Sequence, residues 1–316
     1  MGGLVRTLLH ETAWHCRVIV RPEDAHASVL RELEASRVTV VPLDVSAASA
    51  EWQRALQGAD GIVHGAAVSP CEPGQEAGRM RRFVDVNVSG TIALCTAAHH
   101  QAPDARIVQV SSVAVYGHPA YPTAALAEDD EQEPVDAYDI TKYAAERLAL
   151  RFAQLQGQDL YVVRLTRIFG RGEQPTAARA LMSLPRRLAD TWARGETFRL
   201  TSRSTNADTD LLPVESAADA IRRLLTGTPS ERVFNLGGGG TVKVAAVIAL
   251  AQETLPGLQV VVDDDPGGAW DADPDFARGK DGMFDIGRAT RQLGWRPPDV
   301  TDSLRSYFQY QLKTRG

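Results

Sequence analysis

Short apolar runs alternate with amphipathic stretches along most of this chain, and that alternation restricts the fold more than any single residue does. Strand-like runs lie at Cys16–Arg21, Val38–Pro42, Gly61–His64, Arg106–Ser111, Leu160–Arg164 and Arg232–Asn235. Helical spacing fills the intervals. Leu4, Leu8 and Leu9 share a face, as do Ile92, Cys95 and Ala98, and Ala145, Leu148 and Phe152 recur beyond Tyr138. Strand and helix in regular turn predict an α/β protein built on a doubly wound parallel sheet. With 316 residues, 44% of them hydrophobic, the chain can bury one large α/β core or two unequal ones.

After Arg164 the alternation weakens. Gly170–Pro175 reads as a loop, Leu211–Leu225 as a strand and helix returning to the sheet, and Gly237–Gly240 as a turn into the helix-like Val242–Thr254. The tail through Asp285 and Leu293-Gly294-Trp295 reads as a small separate lobe with Trp295 in its core. The net charge of −6, from 40 acidic and 34 basic side chains, offers no basic face for nucleic acid and no patch for a membrane. Glu128-Asp129-Asp130-Glu131 reads as a solvated loop. Cys16, Cys71 and Cys95 have neither disulfide nor zinc spacing, and no apolar run is long enough to span a bilayer. With no signal-peptide pattern at the N-terminus, these features place the chain in the cytoplasm. His99-His100 lacks a third ligand at metal spacing and reads as a helix-end pair, so no metal site is expected.

The residues that carry chemistry cluster in the middle. Tyr138-Asp139-Ile140-Thr141-Lys142 places a phenol and an ammonium one helical turn apart. A nearby ammonium stabilises phenolate and draws a phenol towards the working range of a general acid/base. Val108-Gln109-Val110-Ser111-Ser112 ends a strand, where sites form in open α/β sheets. A hydroxyl at Ser112 can hydrogen-bond a substrate oxygen as charge develops on it. Alone, the Tyr–Lys spacing suits an ordinary helix surface and the serine pair an ordinary turn; order along the chain distinguishes them.

That order resembles the extended short-chain dehydrogenase/reductases, the NAD-dependent epimerase/dehydratase family. His64-Gly65-Ala66-Ala67, Asn87-Val88-Ser89-Gly90-Thr91, Ser111-Ser112 with Tyr116-Gly117, the Tyr138/Lys142 pair, Arg164 to Gly170, Asp210 to Val214, Asn235-Leu236-Gly237 and Leu293 to Pro297 follow one another as in that family. The resemblance implies a Rossmann-type domain over 1–172, with 208–235 returning to it. A smaller C-terminal α/β substrate lobe would comprise 173–207 and 236–316. It implies Tyr138 as acid/base, Lys142 on the ribose hydroxyls, Ser112 on the substrate oxygen and Asn87 as a supporting residue. Asp44 and Val45 would contact adenine, with Ala66 and Ala67 along the cofactor. The reaction would be hydride transfer at a carbinol or carbonyl carbon of a sugar-like or ketone-bearing metabolite, by an epimerase or a net reductase. It also suggests a homodimer built on the helices bearing Asn87 and Tyr138.

Four departures from the family pattern shape the expectation. The chain opens Met1-Gly2-Gly3-Leu4 directly into helical spacing, without the first strand and Gly-rich turn that cradle a pyrophosphate. That strand would be central, and its loss would bare two strand edges. A shortened gene start or a substitute segment is therefore expected, with Gly2-Gly3 as the remnant of the turn. Arg21 stands where an acid would select NAD, and so favours NADP. Val113 and Ala114 replace the acidic pair of the sugar-nucleotide dehydratases, which disfavours a dehydratase. Thr209 replaces an Arg that clamps the diphosphate in many relatives, with Arg203, Arg278 or Lys280 as substitutes. The rival reading is a family-derived protein that no longer binds a dinucleotide and serves a regulatory, scaffold or redox-neutral role.

Overall fold

A computed structural model describes residues 2–22, 36–46, 51–70, 75–117, 125–176, 181–263 and 283–315. Its central strands are β1 (Cys16–Val20), β2 (Val38–Pro42), β3 (Gly61–His64), β4 (Arg106–Ser112), β5 (Leu160–Leu165) and β10 (Val233–Leu236). All ladders among them are parallel, but they form two sheets, a two-stranded β1-β2 and a four-stranded β10-β5-β4-β3. In the doubly wound order the first strand lies between the second and fourth; the break between β1 and β3 falls there. Smaller sheets pair β6 (Arg167–Phe169) with β9 (Leu211–Pro213), β8 (Asp208–Thr209) with β11 (Val242–Lys243), and β7 (Thr197–Leu200) with β12 (Gln259–Val262).

The helices are α1 (Gly2–Glu11), α2 (Glu51–Leu56), α3 (Glu76–Phe83), α4 (Gly90–Gln101), α5 (Ala137–Gln156), α6 (Leu184–Ala193), α7 (Ser202–Asn206), α8 (Val214–Thr226), α9 (Val244–Thr254), α10 (Gly287–Leu293) and α11 (Val300–Arg315). A π-helical stretch, Val84–Ser89, joins α3 to α4. On one face α1 straddles the break: Leu4 and Leu8 pack with Val63 and Val108, whereas Val5 and Leu9 pack with Val18 and Val20. On the other face Ile19, Ile62, Trp52, Leu94 and Ile107 share one apolar layer. Burial on both sides explains why the strands read as near-continuous apolar runs.

A second apolar cluster gathers Leu188, Leu200, Val247, Leu255 and Phe308. Trp295, expected in the core of a small lobe, instead packs with Leu4, Val108 and Ala217, and its Nε1 donates to Ser216 O at 3.0 Å. The indole needs a carbonyl partner when buried, and the N-terminal end of α8 supplies it. Among the described residues no helix is long and apolar enough to cross a membrane.

Candidate active site

The chain leaves β4 through a 3-10 turn, Val113–Tyr116, capped by Ser112: Ala114 N donates to Ser112 Oγ at 3.1 Å. That bond uses a lone pair of Ser112 and leaves its hydroxyl hydrogen to donate. α5 packs across this strand end, against β4, the turn and the π-helical stretch. Its start is fixed by Asp136, whose carboxylate accepts from Asp139 N at 2.9 Å, and its end by Gly157 at φ 69°. Tyr138 and Lys142 lie in its first turns. Tyr138 is half-buried against Val68 and Phe83. Lys142 is buried, and its Nζ donates to Val110 O at 2.6 Å, two residues before Ser112. Burial lowers the Lys142 pKa to about 8, against the opposing pull of the Glu146 carboxylate one turn on.

Asn87 ties three elements together from the π-helical stretch, a distortion often found at functional sites. Its Oδ1 accepts from Val68 N at 2.8 Å, and its Nδ2 donates to Val68 O at 3.3 Å and Thr141 Oγ1 at 3.1 Å. The loop after β3, which carries half-buried Ala66 and Ala67, is thereby fastened to α5 beside Lys142. His64 sits behind it. Thr91 Oγ1 donates to Asn87 O at 2.7 Å, so the His64 Nε2 hydrogen is the one shared with that oxygen, at 2.9 Å. Burial, helped by the charge of Lys142, pushes the His64 pKa down to about 3 and keeps the ring neutral.

A second group lies beyond β1 and β2. Burial pushes the Asp44 carboxyl up, but hydrogen bonds from Ser46 and the charges of Arg21 and Arg82 outweigh it and hold the pKa below the usual range. The charge of Arg21 is thus felt at Asp44. Val45 is buried against α4, where a Cβ on Gly90 would stand 3.0 Å from Val45 Cγ2. Gly2 and Gly3 form the first turn of α1 rather than a glycine turn. A Cβ on Gly3 would lie 2.8 Å from Val214 Cγ2 and 2.9 Å from Arg171 O. Gly3 is therefore glycine for helix packing, and only the unpaired amides of the first turn remain for an anion. Thr209 is buried, with Arg167 Nη1 donating to its Oγ1 at 3.4 Å. Arg203 is exposed on α7, and Arg278 and Lys280 lie outside the described residues.

Beneath the Tyr–Lys helix runs a buried polar network that sequence reasoning missed. Arg164 donates through Nε to Glu146 Oε2 at 3.1 Å and through Nη2 to Glu146 Oε1 at 2.5 Å. Its Nη1 donates to Tyr116 Oη at 2.7 Å and Glu128 O at 3.0 Å. Ser111 Oγ donates to Glu146 Oε2 at 3.0 Å, and Asn235 N donates to Glu128 Oε1 at 2.8 Å. Glu128 is 6% exposed, so the solvated-loop expectation holds for exposed Asp129, Asp130 and Glu131 but not for it. Arg288, half-buried on α10, balances its charge at 3.5 Å. The available signals were an Arg inside the apolar run Leu160–Leu165 and a Glu one turn beyond Lys142.

A doubly wound parallel sheet with a Tyr–Lys helix across one strand's carboxyl end defines an extended short-chain dehydrogenase/reductase. A model of the NAD dependent epimerase/dehydratase family matches residues 2–237, and the chain belongs to that family. It is 25% identical over 226 residues to a GDP-6-deoxy-D-mannose reductase of Pseudomonas aeruginosa, covering 71% of this chain and 72% of that protein. It is 28% identical over 272 residues to a dTDP-glucose 4,6-dehydratase of Streptomyces griseus, covering 84% and 76%. Among solved structures, a UDP-glucose 4-epimerase of Thermotoga maritima with UDP-glucose superposes with a TM-score of 0.79 at 18% identity, covering 99% of this chain and 95% of that one. A UDP-glucuronic acid 4-epimerase of Bacillus cereus in complex with NAD gives 0.76 at 18% identity, with the same coverage.

Proposed function

We propose that this chain is an NAD(P)-dependent epimerase or reductase acting at a carbinol or carbonyl carbon of a sugar-like metabolite, with Tyr138 as its acid/base. The observation that carries this reading is the corner formed by Ser112, Lys142 and Asn87 at the end of β4, with Tyr138 one turn from Lys142. A nicotinamide dinucleotide, when bound, supplies the hydride chemistry. Tyr138 exchanges a proton with the substrate oxygen, and Ser112 donates to the same oxygen. The Lys142 ammonium stabilises the phenolate and offers its remaining donors to ribose hydroxyls. Arg21 and Asp44 form the adenosine end, with NADP favoured over NAD and the first-turn amides of α1, from Gly2 and Gly3, towards the phosphates. Val45, Ala66 and Ala67 complete that wall.

Val113 and Ala114 carry no acid or base, which supports an epimerase or reductase over a dehydratase. A sugar-nucleotide substrate accords with the relatives, and Arg167 beside Thr209 offers a cation near the position of the absent clamp. Replacing Tyr138 by Phe is expected to abolish turnover of an accepted sugar nucleotide while leaving dinucleotide affinity within a few-fold; unchanged turnover overturns the assignment.

The division of the sheet between β1 and β3 among the described residues favours a second reading, a protein that no longer holds a dinucleotide and serves a regulatory, scaffold or redox-neutral role. Calorimetric titration with NADPH and NADH separates the two: micromolar binding rejects this second reading, and no heat supports it. A homodimer belongs to the first reading. The outward faces of α3 to α5 expose Met80, Val84, Ile92, Ile140, Leu148 and Leu155, an apolar band suited to a second copy.

A further inference from the structure

Two side chains of α5, one turn apart, grip consecutive residues of β4. Lys142 Nζ donates to Val110 O at 2.6 Å, and Glu146 Oε2 accepts from Ser111 Oγ at 3.0 Å. Positions i and i+4 share a helix face, and successive residues of a strand advance by only about 3.3 Å. The ammonium and the carboxylate therefore lie side by side at the strand end, immediately before Ser112. Both residues are out of water, at 5% and 0% exposure.

Burial disfavours the charged form of an ammonium unless an opposite charge stands close. The groups packed around Lys142 differ in what they offer. From β3, the His64 ring is neutral. On the π-helical stretch, Asn87 is a neutral amide and Asp85 pairs with Arg81 at 3.2 Å. On α3, the Glu76 carboxylate accepts from Ala137 N at 2.5 Å, at the start of α5. In the 3-10 turn, burial pushes the Tyr116 pKa up to about 12, so that side chain is a neutral phenol. From β5, Arg164 brings a second cation, but its guanidinium is turned to Glu146, Tyr116 and the Glu128 carbonyl. On α5 itself, Asp139 is buried a turn before Lys142, yet Glu146 is the carboxylate whose charge opposes burial there. Arg164 and Ser111 hold both Glu146 oxygens, so its charge has a fixed place.

We propose that Glu146 is a positioning residue of the reaction: fixed by Ser111 and Arg164, it is the counter-charge that keeps buried Lys142 protonated, and through Lys142 it favours the Tyr138 phenolate. This inference rests on the reading of Tyr138 as acid/base and extends it to a residue that touches neither substrate nor dinucleotide.

Titration of Lys142 by nuclear magnetic resonance tests it in the intact protein, with neither dinucleotide nor substrate present. The chain has four lysines, Lys142, Lys243, Lys280 and Lys313, so isotope-labelled lysine gives a Cε spectrum in which the Lys142 signal is the one lost in Lys142→Arg. Its midpoint in the unaltered protein is expected at about 8. Glu146→Gln is expected to lower that midpoint by about 1–3 pH units, because one charge is removed and the Arg164 charge is bared. If that variant does not fold, Glu146→Leu with Arg164→Met removes the pair as a unit and should lower the midpoint by about one unit. In turnover of an accepted sugar nucleotide, the acid-side limb of the kcat profile, where Tyr138 takes the substrate proton, should move to higher pH while KM stays within a few-fold. A midpoint left in place by both variants overturns the inference, as does a limb that stays put while the midpoint moves. An equal shift in Ser111→Ala, which keeps every charge, also overturns it, since packing then decides. Unchanged turnover in Tyr138→Phe is a different failure, that of the acid/base reading, and the cofactor-free titration tells the two apart.

Discussion

At the residue scale, the Glu146–Arg164 pair shows how this site is held. Both side chains are almost fully buried, at 0% and 2% exposure, and each oxygen of Glu146 has a donor. Removing one partner strands the other charge out of water, the costly case for buried pairs. Glu146→Ala is expected to lose about 3–5 kcal/mol of stability in urea unfolding, whereas joint replacement of Glu146 and Arg164 by Leu and Met loses far less. His64 gives a pH signature. Its folded pKa of about 3 lies below the ordinary 6.5, so the unfolded chain takes up a proton that the folded chain refuses. Stability therefore falls on acidification from about 6.5 towards 3, by at most ~1.4 kcal/mol per pH unit. His64→Gln is expected to remove that slope, as measured by denaturant midpoints between pH 7 and 5.

At the element scale, Gly3 decides how closely α1 meets α8. An added methyl would gain up to about 1 kcal/mol of helix propensity but would collide with Val214 and with the carbonyl of Arg171. Gly3→Ala is expected to cost a net 1–3 kcal/mol, roughly the price of overpacking. Val214→Ala in the same chain should restore only part of the lost Tm, because the carbonyl cannot retreat like a side chain. The six central strands were legible in the sequence almost to the residue, since burial on both sides leaves a near-continuous apolar run at each, whereas the short strands β6, β7, β8, β11 and β12 were not. The helices were less so. Apolar spacing cannot say which apolar face meets the core: Ile92, grouped by spacing with Cys95 and Ala98, and Leu148, grouped with Ala145, are 42% and 43% exposed, while Ala145, Glu146 and Ala149 occupy the inner face of α5. The Tyr138–Lys142–Ser112 set was legible through spacing and order. Glu128 and Arg164 were not, because a charge among other charges, or inside a strand, shows its burial only once a distant partner arrives.

At the scale of the whole molecule, the outward leucines on α5 carry a testable consequence. A substitution of Leu148→Glu, with Ile140→Glu added, is expected to shift sedimentation from dimer to monomer without changing the circular dichroism spectrum, since both side chains lie outside the cores. A wild-type protein that sediments as a monomer at micromolar concentration removes the homodimer from the proposal. The divided sheet governs a different property, resistance to load. Where strands share a ladder, a pull must shear many hydrogen bonds together; between β1 and β3 no ladder resists among the described residues. Drawn out from its N-terminus, the chain should yield first as a short segment bearing α1, β1 and β2, and only later, at higher force, as the four-stranded remainder.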